Sequence, residues 1–197
     1  MIATPNKYHL TPDEYLQWEA KQEIKHEYIN GEVYARTGGT IAHNAIAVNL
    51  IAALRPHVRG SSCRVLGTEA KVGITEKGSF FYPDVLVTCN AQDRQAIQVI
   101  QFPKLIVEVL SPGTEAYNRG AKFAQYRRLE TLQEYVLINS ESIGVEIFRL
   151  NERSKWELTS YTNGDEIELI CIEFKFPIEL LYEDVEFPPQ GAQNDGT

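Results

Sequence analysis

Lys104-Leu105-Ile106-Val107-Glu108-Val109-Leu110, running straight into Ser111-Pro112-Gly113-Thr114, is the stretch from which the fold of this chain is read. Pro103 and the Ser-Pro-Gly turn bound an apolar, β-branched run of strand length, the pattern of a strand covered on both faces. Strand side chains alternate, so Leu105, Val107 and Val109 share one face while Ile106, Glu108 and Leu110 share the other. Glu108 thus stands among apolar neighbours. An ion in such a place costs several kcal/mol unless a partner compensates it, about the penalty of any charge moved into a protein interior.

A second acid has a similar setting. Residues 64–74 and 79–88 read as two strands joined by a turn at Glu76-Lys77-Gly78, and Asp84 in Tyr82-Pro83-Asp84-Val85-Leu86 shares its face with Tyr82 and Leu86. A Pro-Asp pair more often marks a turn, so Asp84 has a structural reading beside the functional one. After the Glu108 strand, residues 117–130 form a helix carrying Phe123, Tyr126 and Leu129 at spacings of three, with Lys122 beside them. Two strand carboxylates and a following lysine suggest a site for a hard divalent cation. Helix side chains tilt toward the N-terminus of their helix, so Lys122 can reach back to the preceding strand.

The remaining elements frame this core. Thr11, Pro12 and Glu14 spell a helix start with capping box, and Leu10 and Tyr15 form its staple. Asn30-Gly31 between residues 25–29 and 32–36 predicts a hairpin, with His26 and Tyr28 on one face and Glu27 and Ile29 on the other. Residues 40–57 read as a largely buried helix on an Ile41, Ala45, Val48, Ala52 and Leu54 or Arg55 face, with His43 in its first turn. Most such single histidines are structural or exposed. Residues 90–102 are a polar connection with some helical character. Strands follow at 134–140, 145–150, 156–161 and 167–171, then a short helix at 178–182. One domain over residues 1–187 is expected, with residues 188–197 a disordered polar tail.

With 43% hydrophobic and 23% charged residues in 197, the chain has the make-up of an ordinary globular protein with one substantial core. No apolar run approaches the ~20 residues of a membrane span, the first residues lack a basic stretch followed by an apolar one, and a cytoplasmic location is expected. Cys63, Cys89 and Cys171 are odd in number and lack any C-x-x-C pairing, which predicts buried free thiols. The net charge of -8 argues against a phosphate-rich partner. Against that, Arg119, Lys122, Arg127 and Arg128 fall together, although a solvated helix face explains such a cluster equally well. A glycine-rich phosphate loop, H-E-x-x-H and G-x-S-x-G are all missing from the sequence.

Taken together, His26-Glu27-Tyr28-Ile29-Asn30-Gly31-Glu32, Pro83-Asp84, Ile106 to Pro112, Arg119-Gly120-Ala121-Lys122-Phe123 with Tyr126, and Glu134 to Ile138 resemble the Uma2 family of restriction endonuclease-like proteins. The resemblance runs from about residue 11 to 181. It implies an α/β (α+β) fold of the PD-(D/E)XK nuclease superfamily: a mixed central sheet flanked by helices, with an N-terminal hairpin and extra C-terminal strands. The activity implied is Mg²⁺-dependent hydrolysis of phosphodiester bonds in DNA, Mn²⁺ serving as a substitute, by a homodimer to which Trp156 and Tyr161 are candidate contacts. Position by position, Asp84 and Glu108 become the metal acids, Val109 offers its carbonyl, Lys122 is the catalytic lysine, and Glu27 is an added acid or else a hairpin salt-bridge partner. Two departures accompany the match. Leu110 stands where the superfamily places its lysine, a place Lys122 takes from the next helix, and Asn118 replaces a frequent aspartate. The second keeps hydrogen bonding but loses charge, leaving a catalytically silent binding or scaffold protein as the alternative.

Overall fold

The computed structural model describes residues 9–36, 38–75 and 78–187. Helix α1, Pro12–Glu19, begins as its sequence dictates: the Thr11 hydroxyl accepts from the Glu14 N–H while the Glu14 carboxylate accepts from the Thr11 N–H. The hairpin β1, His26–Ile29, and β2, Glu32–Ala35, turns through Asn30 and Gly31, both with positive φ, as a two-residue primed turn requires. Gly31 has a second reason to lack a side chain: a Cβ there would lie 2.2 Å from the His9 ring. Helix α2, Ile41–His57, is capped by the Thr40 hydroxyl.

Its inward face differs from the expected one except at Leu54. Ile46, Ala47, Leu50 and Leu54 are buried, whereas Ile41 and Val48 are exposed. The helix is apolar nearly all round, so spacing alone could not say which stripe would meet the sheet.

The two long strands expected at 64–74 and 79–88 are each broken in the middle. One becomes β3, Arg64–Gly67, and β4, Lys71–Gly73; the other becomes β5, Phe80–Phe81, and β6, Val85–Thr88. The ribbon bends from one sheet into another, and Pro83, which cannot donate to a ladder, sits at the bend. Asp84 is therefore not within a strand but at the corner just before β6, as the turn reading of Pro-Asp has it. Glu76 and Lys77 of the intervening turn lie outside the described residues, as does the tail from residue 188 on. Next come α3, Ala91–Gln95, and β7, Val99–Ile100, then β8, Pro103–Leu110, the strand that holds Glu108.

The helix after β8 has three pieces: α4, Glu115–Tyr117, a π turn Asn118–Lys122, and α5, Phe123–Tyr126. It ends four residues before the expected limit. Strands β9, Glu134–Asn139, β10, Val145–Leu150, and β11, Trp156–Tyr161, follow, then β12, Glu166–Leu169, and an unanticipated β13, Phe174–Pro177, before a 3₁₀ turn at Ile178–Tyr182.

A six-stranded mixed sheet runs β11-β10-β9-β8-β6-β3, with only β8 and β9 parallel. Helix α2 covers one face, where Leu50 and Leu54 join the cluster of Val85, Leu105, Val107 and Val136. Phe123 and Tyr126 of α5 cover the other, against Leu86, Ile106, Leu110 and Tyr135. This is the mixed, helix-flanked α/β architecture expected. A five-stranded sheet, β2-β1-β5-β4-β7, adjoins it through the bent ribbon, and Tyr15, Tyr28 and Phe80 stack on it. Among the described residues no helix is long and apolar enough to cross a membrane. Trp156 packs edge-on to Phe123, and Tyr161 accepts a hydrogen bond from Arg149, so both candidate dimer residues are engaged within the chain.

The cysteine expectation is overturned for two of three. Arg64 pairs with Thr88, and one step further along that register Cys63 meets Cys89 in a disulfide; Cys171 stays buried and free. Spacing along the chain carried no trace of this, because the pairing is made by strand register. Closing a span of 26 residues should stabilise the fold by about 3 to 4 kcal/mol on chain-entropy grounds. Thiol titration in denaturant should find one reactive thiol before reduction and three after, and Cys63→Ser should lower the melting temperature by several degrees.

Candidate active site

Register brings the two acids together. Val85 pairs with Val107 and Leu86 with Ile106, so the next antiparallel step sets Asp84 opposite Glu108 on the face that α5 covers. Both are buried, at 2% and 3% exposure. Asp84 Oδ2 accepts the Val109 N–H at 2.8 Å, which binds the corner to β8. Its Oδ1 faces His43 Nε2 at 3.1 Å and Arg36 Nη2 at 3.5 Å.

Lys122, in the π turn above that face, places its ammonium 2.8 Å from Glu108 Oε1 and 2.9 Å from Glu27 Oε1. Tyr126 Oη donates to the same Glu108 oxygen at 3.0 Å. Glu27 enters from β1, where alternation sends it away from the Tyr28 stack, and the Tyr82 N–H also donates to its Oε1. It makes no hairpin salt bridge. All four residues predicted for the site, with Val109, therefore line one cavity of about 100 Å³.

Electrostatics divide the acids. Burial would raise Asp84, but the His43 hydrogen bond and charge, the Val109 N–H and Lys122 outweigh it and hold the carboxyl below its ordinary value. Burial likewise would lower His43, and Asp84, with Glu108 behind it, holds the imidazole above its usual range. Glu108 goes the other way: burial, then the charges of Asp84 and Glu27, push it up to about 7 in spite of Lys122. Lys122 itself is desolvated yet raised by Glu108 and Glu27, so it keeps its proton at neutral pH.

Three carboxylates thus share one cavity with Lys122, His43 and Arg36. Among the described residues no group of three or more His, Cys, Asp or Glu is arranged to hold a metal ion. A cation here would have two carboxylates, Asp84 and Glu108, and would draw its other oxygens from a backbone carbonyl such as that of Val109 and from water. That donor set suits Mg²⁺, which keeps several waters and uses one or two carboxylates.

Arg36 and His43 were not assigned to the site from sequence. His43 had been placed in the first turn of α2, but only the close approach of α2 to the Pro83 corner shows its partner, and Arg36 follows the hairpin with no motif to mark it. Leu110 is buried among the residues that α5 covers. Asn118 lines the cavity, and its carbonyl accepts from Tyr135 Oη at 3.0 Å, which ties the π turn to β9.

A family model described as "Uma2: Putative restriction endonuclease" matches residues 12–179. Two uncharacterized proteins of Synechocystis sp. (strain ATCC 27184 / PCC 6803 / Kazusa) align over most of their lengths. The protein slr1290 is 39% identical over 178 residues, 90% of this chain and 94% of its own. For sll1609 the identity is 34% over 170 residues, 85% and 93%. A crystal structure of a "putative nuclease belonging to DUF820" from Anabaena variabilis ATCC 29413 superposes with a TM-score of 0.73 over 88% of this chain and 98% of that one. At 17% identity that likeness concerns the fold.

Because the folded-state value of Glu108 lies above its unfolded one, its contribution is present at acid pH and lost as pH rises through about 7. In metal-free buffer, the melting temperature of Glu108→Gln minus that of the wild type should therefore grow by a few degrees between pH 5 and pH 8. The ion pair with Lys122 exists only when Glu108 is ionised, and its effect is already contained in that shift. A difference that is flat or shrinks over this interval would contradict the assigned shift.

Proposed function

The chain belongs to the Uma2 family, and on that premise we propose that it is a Mg²⁺-dependent endonuclease hydrolysing phosphodiester bonds in DNA. One observation carries the proposal: Glu27, Asp84, Glu108 and Lys122 converge on a single cavity in which burial, and then the charges of Asp84 and Glu27, push Glu108 up to about 7. Asp84, Glu108 and the Val109 carbonyl are the groups that would hold Mg²⁺, with Mn²⁺ a substitute. When bound, the cation supplies the charge that offsets the two acids and polarises the scissile phosphodiester.

The chain's own residues do the rest. Val109 N–H and His43 fix Asp84, and Tyr126 and Lys122 fix Glu108, so little reorganisation is needed when substrate arrives. Lys122 keeps its proton and so acts as a charge and hydrogen-bond donor, not as a base. It orients the attacking water and offsets charge growing on the phosphoryl oxygens. The Arg36 guanidinium, about a quarter exposed at the cavity wall, meets the incoming phosphate. Water oxygen bonds to phosphorus as the ester oxygen departs with the electron pair of the broken P–O bond; the attacking water gives up its proton to bulk water, and the departing oxygen takes one from it. A cytoplasmic site of action and a homodimer, using the outer edge of β11, belong to the same proposal, and sedimentation velocity reads the second. In a reducing cytoplasm the Cys63–Cys89 bridge would be expected to open.

Calorimetry with Mg²⁺ or Mn²⁺, followed by cleavage assays on plasmid, single-stranded and branched DNA, tests the proposal. Asp84→Asn should abolish both cation binding and cleavage. Lys122→Met should retain cation affinity while cleavage falls on the order of 10³-fold, and in chelator it should lose about 3 to 5 kcal/mol of stability, because two buried acids lose their partner. Cation binding that is absent, or unaffected by Asp84→Asn, would sink the nuclease reading. Intact binding without hydrolysis of any DNA form would leave a silent nuclease-fold binding protein.

A further inference from the structure

Tyr117 is the last residue of α4 before the π turn, and it lines the cavity with Glu27, Glu108 and Lys122. Its hydroxyl is buried and has no hydrogen-bond partner among the described residues. The neighbouring phenols differ. Tyr126 donates to Glu108, Tyr135 to the Asn118 carbonyl, Tyr82 to Glu19, and Tyr34 to Glu32. A buried O–H without an acceptor is costly, so its place beside a cavity of ionised groups calls for an acceptor that arrives with a ligand.

The backbone aims it there. In a regular α-helix, residues five apart point about 140° away from each other. A π turn closes its hydrogen bonds over five residues, which brings positions 117 and 122 toward one face. The same distortion that delivers the Lys122 ammonium thus delivers the Tyr117 hydroxyl beside it. Burial, and then the charges of Glu27 and Glu108, hold this phenol far above its ordinary value, so it can donate but not ionise. The facing Glu27 and Glu108 oxygens Oε1 are already engaged by Lys122, and the second of them by Tyr126 as well. A cavity of about 100 Å³ has room for a few waters or a single phosphoryl group, water taking roughly 30 Å³ of liquid volume.

We propose that Tyr117 Oη donates a hydrogen bond to a nonbridging oxygen of the substrate's phosphodiester, a contact that strengthens as charge builds there in the transition state. The proposal rests on the nuclease reading above and adds a residue that touches substrate. No proton is transferred; the O–H stays with the phenol throughout.

The test is Tyr117→Phe, which removes the hydroxyl and keeps the ring. Against wild type in plasmid cleavage with Mg²⁺, kcat should fall on the order of 10²-fold, as when one preorganised donor is lost, while KM moves little. Mg²⁺ affinity should be unchanged, and the melting temperature equal or higher, because an unpartnered buried group is gone. Wild-type turnover with an unchanged kcat in the variant overturns the assignment and leaves the nuclease reading standing. A lowered melting temperature or a weakened Mg²⁺ affinity also overturns it, since the hydroxyl would then serve the fold or the cation. If the wild type cleaves nothing, the nuclease reading falls and Tyr117 is judged by titration with inorganic phosphate in Mg²⁺. Binding about tenfold weaker in the variant supports the contact; equal binding, or none by either protein, overturns it.

Discussion

The Lys122 ammonium, shared between Glu27 and Glu108, is the contact on which the assembly depends. Glu27 belongs to the hairpin of the five-stranded sheet, Glu108 to the centre of the six-stranded one, and Lys122 to the helix packed over the latter. Three independent pieces of chain are thus joined by one charged atom in a nearly water-free place. Such a contact does not add much net stability, because desolvating three charges offsets most of the attraction. What it supplies is uniqueness. Any shift of the hairpin or helix that strands one acid leaves a buried carboxylate uncompensated, and that is the expensive outcome.

The bent ribbon is the second constraint. Had β5 and β6 formed one straight strand, Asp84 would have been an ordinary ladder residue. The break at Pro83 frees its carboxylate to take the Val109 N–H, and strand register then sets it across from Glu108. Much of this was legible in the sequence. The alternation in β8 fixed the face of Glu108, Asn30-Gly31 fixed the hairpin and with it the direction of Glu27, and tilt along the helix allowed Lys122 to reach back. The illegible parts share one physical origin. The stripe of α2 that faces the sheet, the Cys63–Cys89 bridge, and the parts played by Arg36 and His43 are all decided by which elements approach which, and local patterning is silent on that when a helix is apolar on every side.

The acidity of the chain takes a different meaning from its interior. The Arg119 to Arg128 cluster is only in part an open basic face: Arg119 is held by Glu115 and Glu146 and Lys122 is buried, while Arg127, over the Phe123 ring, and Arg128 stay exposed. Arg149, likewise, is held by Glu134, which also accepts from the Cys171 N–H and so joins the central sheet to the turn after β12. Within the Arg119 to Arg128 cluster, the two exposed arginines are what is left to face a polyanion.

A π turn is an α-helix carrying one surplus residue, and that gives the segment Asn118–Lys122 a genetic consequence. Loss of a single codon within it would restore a uniform helix, leave Phe123 and Tyr126 free to settle back onto the sheet, and swing position 117 about 100° away from its neighbour. A lineage could in this way uncouple chemistry from architecture by one in-frame deletion, keeping a well-packed protein whose pocket has lost one of its two aligned donors.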